Sequence, residues 1–184
     1  MTAGFVRAAR ASDAAGLARI QVASWHACLA GLVPDAVLGE LTSPDAERQW
    51  ADRWLDAIVS PPTSRHRVHV AVGPDVAGCA GFASAGPATD PDLWPATDGE
   101  LYELHVLPEQ AGFGHDGRLL HAVAGTLAED GFRTACTWAL SADDARLSFL
   151  ESAGWAPDGC QSNLDMGVKV GVTRLHTLLE PASM

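Results

Sequence analysis

The chain predicts a single-domain α/β fold built on a mixed sheet, and three observations carry that prediction. Helical periodicity and strand-length alternation succeed one another in a fixed order: helices first, an antiparallel meander next, two strand–helix units last. The 184 residues suffice for one domain with a real core. The 47% apolar composition is that of an ordinary globular protein.

Taken in order, Ser12 is placed to cap a first helix whose stripe of Ala15, Leu17, Ile20, Val22, Trp25 and Leu29 ends near Gly31. Pro34 opens a short piece through Leu41. Ser43-Pro44 reads as the N-cap and first-turn proline of a second long helix, with Trp50, Trp54, Leu55 and Ile58 on one face and Pro61-Pro62 as its stop. Val68 to Val72 alternates as a strand, Gly73-Pro74-Asp75 turns, and Val76 to Ala85 returns as the hairpin partner. Residues 87–98 form a loop. A third strand covers Glu100 to Leu107, and a glycine-rich helix follows to Asp130-Gly131. Thr134 to Leu140 is a strand, Ala142 to Ala153 a short helix closed by Gly154, and Val168 to Leu179 one last strand. Leu101, Leu104 and Val106 break strict alternation, as a β-bulge would.

Composition excludes several function classes. A net charge of -11 argues against a nucleic-acid partner, which needs clustered Lys and Arg, and is compatible with a cationic small molecule. No apolar run is long enough to span a bilayer, and Met1 to Arg7 lacks a signal-peptide core, so no membrane association and a cytoplasmic location are expected. Cys28, Cys79, Cys136 and Cys160 form no C-x-x-C pair and are expected as free thiols. The seven histidines are scattered, and no metal site is expected.

The most informative stretch runs from Val106 to Leu120, where an apolar strand end passes through Pro108 into Gly112, Gly114 and Gly117 and then into an apolar helix. Glycines let main-chain N–H groups approach a ligand closely, and a helix N-terminus favours anions. That combination is a phosphate cradle. Gly112-x-Gly114-x-x-Gly117 also matches the dinucleotide fingerprint literally, which keeps an NAD-dependent oxidoreductase under consideration. Against that reading, Pro108 to Ala111 separate the glycines from their strand, and a hairpin precedes the motif.

Three segments in the right order resemble the GNAT superfamily of N-acetyltransferases. They are Leu104-His105-Val106-Leu107-Pro108 through Leu119-Leu120, Phe149-Leu150-Glu151-Ser152-Ala153-Gly154-Trp155, and Ser24 to Pro34. The resemblance implies a mostly antiparallel sheet with one splayed parallel strand pair, flanking helices, and acetyl-CoA as co-substrate. It implies that Leu104 and Val106 offer backbone groups to the pantetheine arm, and that Gly112, Gly114, His115, Asp116 and Gly117 line the pyrophosphate turn. It also implies direct acetyl transfer to a primary amine of a small acceptor, without a covalent intermediate. Glu100 is the implied catalytic base, with Glu103 and His105 as rivals on the same strand, and a homodimer is left open. Trp25 and His26, on the first helix, border the implied acceptor pocket, with Trp50 and Trp54 nearby; Trp94 stands in an acidic loop with Asp90, Asp92 and Asp98. Ala111, Asp116 and Leu150 depart from the family's pattern, and Tyr102 is the only tyrosine. A GNAT-fold protein that binds an acyl-CoA or a partner without turnover is therefore a second reading.

Overall fold

The computed structural model describes residues 4–73 and 78–180. Seven strands form one sheet in the order β1-β2-β3-β4-β5-β7-β6. They are β1 (Phe5–Ala8), β2 (Arg67–Val72), β3 (Gly81–Pro87), β4 (Asp98–Val106), β5 (Thr134–Leu140), β6 (Ala156–Asp165) and β7 (Lys169–Leu178). Only β4 and β5 pair in parallel; every other neighbour is antiparallel. A dinucleotide fold needs successive parallel strand–helix–strand units, so this topology removes the oxidoreductase reading of the glycines.

The helices are α1 (Ala14–Leu29), α2 (Asp35–Leu41), α3 (Pro44–Val59), α4 (His115–Glu129) and α5 (Asp144–Ser152). Apolar side chains recurring every three or four residues give α1, α3 and α4 a face for the core, while α2 and α5 each bury one residue, Leu38 and Leu150. α1 and α3 cover one sheet face, where Leu17, Ile20, Trp54, Val70 and Phe82 pack together. α4 and α5 cover the other, where Leu119, Val123, Leu127 and Leu150 meet Leu101, Leu104 and Leu175. Leu119, Val123 and Leu127 have no exposed surface, and each such burial stabilises the fold by about 2 kcal/mol.

Ser43 caps α3 by accepting from the Ala46 N–H at 3.1 Å, with Pro44 in the first turn, as the sequence predicts. Ser12 does not cap α1. It lies in a 3-10 turn (Ala11–Asp13), where Asp13, the residue before α1, accepts from the Arg10 N–H and pairs with Arg7 at 2.7 Å, so no side chain caps the helix. The turn at Gly73-Pro74-Asp75 and the hairpin's return at Val76 fall, Gly73 apart, outside the described residues; the return strand itself begins at Gly81. Two strands went unpredicted. β1 is a four-residue edge strand, and β6 exposes nearly every residue, so neither shows the alternation a half-buried strand requires.

The expected bulge is present and lies in β4. Ser84 pairs with Glu103 and Ala85 with Leu101, which leaves Tyr102 as the extra residue. That one insertion puts Leu101 and Leu104 on the α4 side. It leaves Glu103 and His105, bonded to each other and to Ser24 of α1, on the opposite side.

Candidate active site

The parallel pairing of β4 and β5 runs only from Asp98–Thr134 to Leu101–Thr137. Beyond it, β4 stays with β3 as far as Val106 while β5 stays with β7 as far as Leu140. A bulge bends its strand and increases its twist, and the one at Tyr102 sits where the two strands part. The opening is a cavity of about 530 Å3 with a largely apolar wall that includes Trp25, Leu29, Leu101, Leu104, Trp138 and Leu140.

A row of three polar side chains crosses the α1 side of this cavity. Ser24 Oγ lies 2.9 Å from His105 Nδ1, and His105 Nε2 lies 2.5 Å from Glu103 Oε2. With Glu103 ionised and His105 neutral, Nε2–H donates to the carboxylate and the Ser24 hydroxyl donates to Nδ1. The imidazole is held edge-on to Trp25 with ring centres 6.5 Å apart, and against Phe82 at 5.3 Å. Trp25 in turn meets Trp50 edge-to-face at 5.1 Å. The His105 side chain is 10% exposed and that of Glu103 32%, so the carboxylate is the more accessible end of the row.

α5 closes the opposite wall. Asp143 caps it by accepting from the Arg146 N–H at 2.9 Å, and Arg146 Nη2 donates to the Leu104 carbonyl oxygen at 2.7 Å. That carbonyl, expected to serve a pantetheine arm, already has a donor on it. Cys28 also lines the cavity; burial pushes its thiol up, which withholds the thiolate a nucleophile needs. Cys79 and Cys136 are pushed up to about 11 and about 12 by burial.

Past the end of β4 and outside the cavity lining, Gly112 and Gly114 have φ of 82° and 72°, a region other residues enter at a cost. Built Cβ atoms at Gly112 and Gly117 meet nothing within 4 Å, so space lies open beside the backbone. Among the described residues, the N–H groups from Gly112 to Asp116 have no acceptor. This arrangement fits an anion such as a pyrophosphate. Asp116 caps its own helix, accepting from the Gly117 N–H at 2.9 Å, and so takes the last donor of the cradle. His115 contributes backbone only, because its ring is buried beside Arg118, 3.1 Å away, and burial lowers its pKa. Arg118 is turned inward, donating to the Phe113 carbonyl at 3.0 Å.

The other expected site residues divide. Trp25 lines the cavity; His26, about 100° further round α1, is exposed and does not. Glu100 is also outside the lining. It is buried at 7% exposure, and Oε2 accepts from the Thr89 N–H at 2.8 Å and the Thr89 hydroxyl at 2.7 Å. Burial pushes its carboxyl up against those two bonds. Tyr102 is spent on the Pro87 carbonyl at 2.6 Å, Leu150 is core, and Trp94 is 70% exposed. Asp90 borders the cavity, bonded to Trp138 Nε1 and Arg174. Sequence reasoning passed over Ser24 and Arg146 as site residues. The i, i+2 spacing of Glu103 and His105 put them on one strand face, but nothing in the sequence signals that α1 and α5 bring Ser24 and Arg146 to them.

No family model matches the chain. A curated relative, the uncharacterized N-acetyltransferase YuaI of Bacillus subtilis, is 29% identical over 135 residues, 73% of this chain and 70% of its own. Among solved structures, the PaiA N-acetyltransferase of Thermoplasma acidophilum in complex with coenzyme A superposes with a TM-score of 0.68 at 15% identity, over 97% of this chain and 99% of its own. A GCN5-related N-acetyltransferase from Rhodopseudomonas palustris gives 0.65 at 20% identity over 97% and 98%. With this strand order and one parallel pair opening into a cleft, the chain has the fold of these N-acetyltransferases, to which it is similar.

Proposed function

We propose that the protein transfers an acetyl group from acetyl-CoA to the primary amine of a small acceptor, by direct attack within a ternary complex. Two observations carry this reading together: the backbone N–H groups from Gly112 to Asp116 have no acceptor among the described residues, and the cavity opened where β4 leaves β5 is lined by Glu103. When bound, acetyl-CoA supplies the activated acetyl group, held by Gly112, Gly114, the backbone of His115 and Asp116, and the edge of β4 near Val106.

The remaining chemistry belongs to the chain. An amine arrives as an ammonium ion and must lose a proton before it can attack. The carboxylates of Asp90, Glu103 and Asp143 around the cavity favour a cationic acceptor. Glu103 takes the proton: it is the accessible end of the hydrogen-bonded row, and only one of its oxygens is recorded in a bond to His105. His105 positions that carboxylate, and Ser24 holds the far side of the imidazole ring through Nδ1. Glu100, expected as the base, is walled off by Thr89, and on this reading its role is structural. No thiol enters the reaction, because burial holds Cys28 as neutral SH. The departing thiolate needs no dedicated acid, since a free thiol ionises near pH 8.5, and Leu150 offers none.

The test is thiol release from acetyl-CoA across a panel of small amines, with product identified by mass. Turnover that falls by two orders of magnitude or more in Glu103→Gln and stays within a few-fold in Glu100→Gln supports the assignment. The reverse pattern moves the base to Glu100. Tight acetyl-CoA binding with no turnover on any amine supports the binding-only reading.

A further inference from the structure

Three carboxylates and one guanidinium face the cavity, and the carboxylates are all engaged. Asp90 is bonded to Trp138 and Arg174, Glu103 to His105, and Asp143 to the main chain of α5. Arg146 is the exception. Among the described residues it forms no ion pair. Its side chain makes one recorded hydrogen bond, Nη2 to the Leu104 carbonyl. An arginine carries five N–H donors in a planar fork, so most of this one is unused. The cavity wall includes Leu104, Leu140, Leu150 and Trp138, and burial lowers the Arg146 pKa against the opposing charges of Asp143, Asp116 and Glu103, so those carboxylates compensate its charge incompletely. The Leu104 bond and the fixed start of α5 hold the guanidinium in one direction, so a ligand would meet it already oriented.

We propose that Arg146 is the receptor for a carboxylate carried by the substrate close to the reacting centre. A guanidinium fork and a carboxylate match in a paired, charge-assisted geometry that neither a neutral amide nor an ester reproduces. The proposal rests on the acyltransferase reading and narrows it. The substrate carboxylate belongs either to the acceptor, which is then an amino acid, or to the far end of the acyl group, which is then derived from a dicarboxylic acid. Either partner neutralises the one cation of the cavity wall and leaves Glu103 free to take the ammonium proton.

The test uses product-like probes and needs no turnover. Calorimetry compares N-acetylphenylalanine with its methyl ester, which places the carboxylate on the acceptor side, and N-benzylsuccinamic acid with its methyl ester, which places it on the acyl side. One acid is expected to bind the native protein at least tenfold more tightly than its ester. Arg146→Met abolishes that preference, and Arg146→Lys retains part of it, with the melting temperature of both variants confirming that they are folded. The pair that shows the preference identifies the source of the carboxylate. Acids and esters binding alike in the native protein, or a preference that survives in Arg146→Met, overturns the proposal and leaves Arg146 a strap between α5 and β4. Thermal shift with acetyl-CoA is read separately. An acid preference without an acetyl-CoA shift defeats the acetyltransferase reading alone, and an acetyl-CoA shift without the preference defeats the Arg146 proposal alone.

Discussion

Between Ser24 and Glu103 side chains are joined in one bonded row, whereas between Gly112 and Asp116 the main-chain N–H groups have no acceptor. The two halves of the proposed site are thus built from different material. The sheet end uses side chains whose chemistry depends on residue identity; the helix end uses backbone, where identity matters only through the conformation it permits. A substitution at the first should change the rate of the chemical step. One at the second should change affinity and leave the saturated rate alone.

The largest effect follows from breaking the first end. Glu103→Gln is expected to lower kcat by about two to four orders of magnitude, the range of general-base catalysis, with the acetyl-CoA dissociation constant unchanged. Steady-state kinetics and a binding isotherm on one preparation check both halves. A substitution that serves both ends should erase the distinction. Leu127 has no exposed surface and anchors α4 against β4, so Leu127→Ala is expected to cost about 2–5 kcal/mol of stability in a denaturant titration.

Smaller effects isolate the cradle. Gly114 has a φ of 72°, and an alanine there strains the turn by roughly 1–2 kcal/mol, so Gly114→Ala should weaken acetyl-CoA binding about tenfold at constant kcat. Asp116 places a carboxylate on the donor array; repulsion of about 3 kcal/mol from a phosphate 5 Å away at an effective dielectric near 20 is reduced by the solvent around it. Asp116→Asn is therefore expected to tighten binding by about fivefold, measured by the same isotherm.

The smallest effect concerns the loop that borders the cavity. Arg174 ties Asp90, Asp92 and Asp158 together and holds the Asp92 carboxyl below its usual range. Asp158 is held low by the Cys160 N–H and Arg174 against its partial burial. Carboxyl groups depressed in the folded state contribute stability that is present above their unfolded pKa, near 3.9, and lost as pH falls through the folded value. The melting temperature should thus drop more steeply below about pH 4 in the native protein than in Arg174→Met.

Much of the fold was legible because it is written in periodicity. The stripe of α4 buries as read; those of α1 and α3 do so in the main, with Ala15 and Leu55 exposed instead, and the broken alternation of Leu101, Leu104 and Val106 marks a real bulge. β1 and β6 were illegible, since a four-residue edge and an exposed strand impose no pattern on composition. At the site, the backbone cradle could be read from three glycines, while the partners of its side chains could not. Whether Glu100 or Glu103 meets the cavity depends on the single residue inserted at Tyr102 and on Thr89 folding back over one of them. Arg146 enters the cleft only because α5 docks beside Leu104, a contact between residues far apart in the chain.

If cradle and cleft together hold acetyl-CoA, a thermal melt of the native protein registers it. Acetyl-CoA at one hundred times its dissociation constant adds about 2.7 kcal/mol, which raises the midpoint by several degrees. The midpoint is expected to rise with acetyl-CoA and to stay unchanged with NADH at the same concentration. An unchanged midpoint with acetyl-CoA, at concentrations up to the millimolar range, would contradict it.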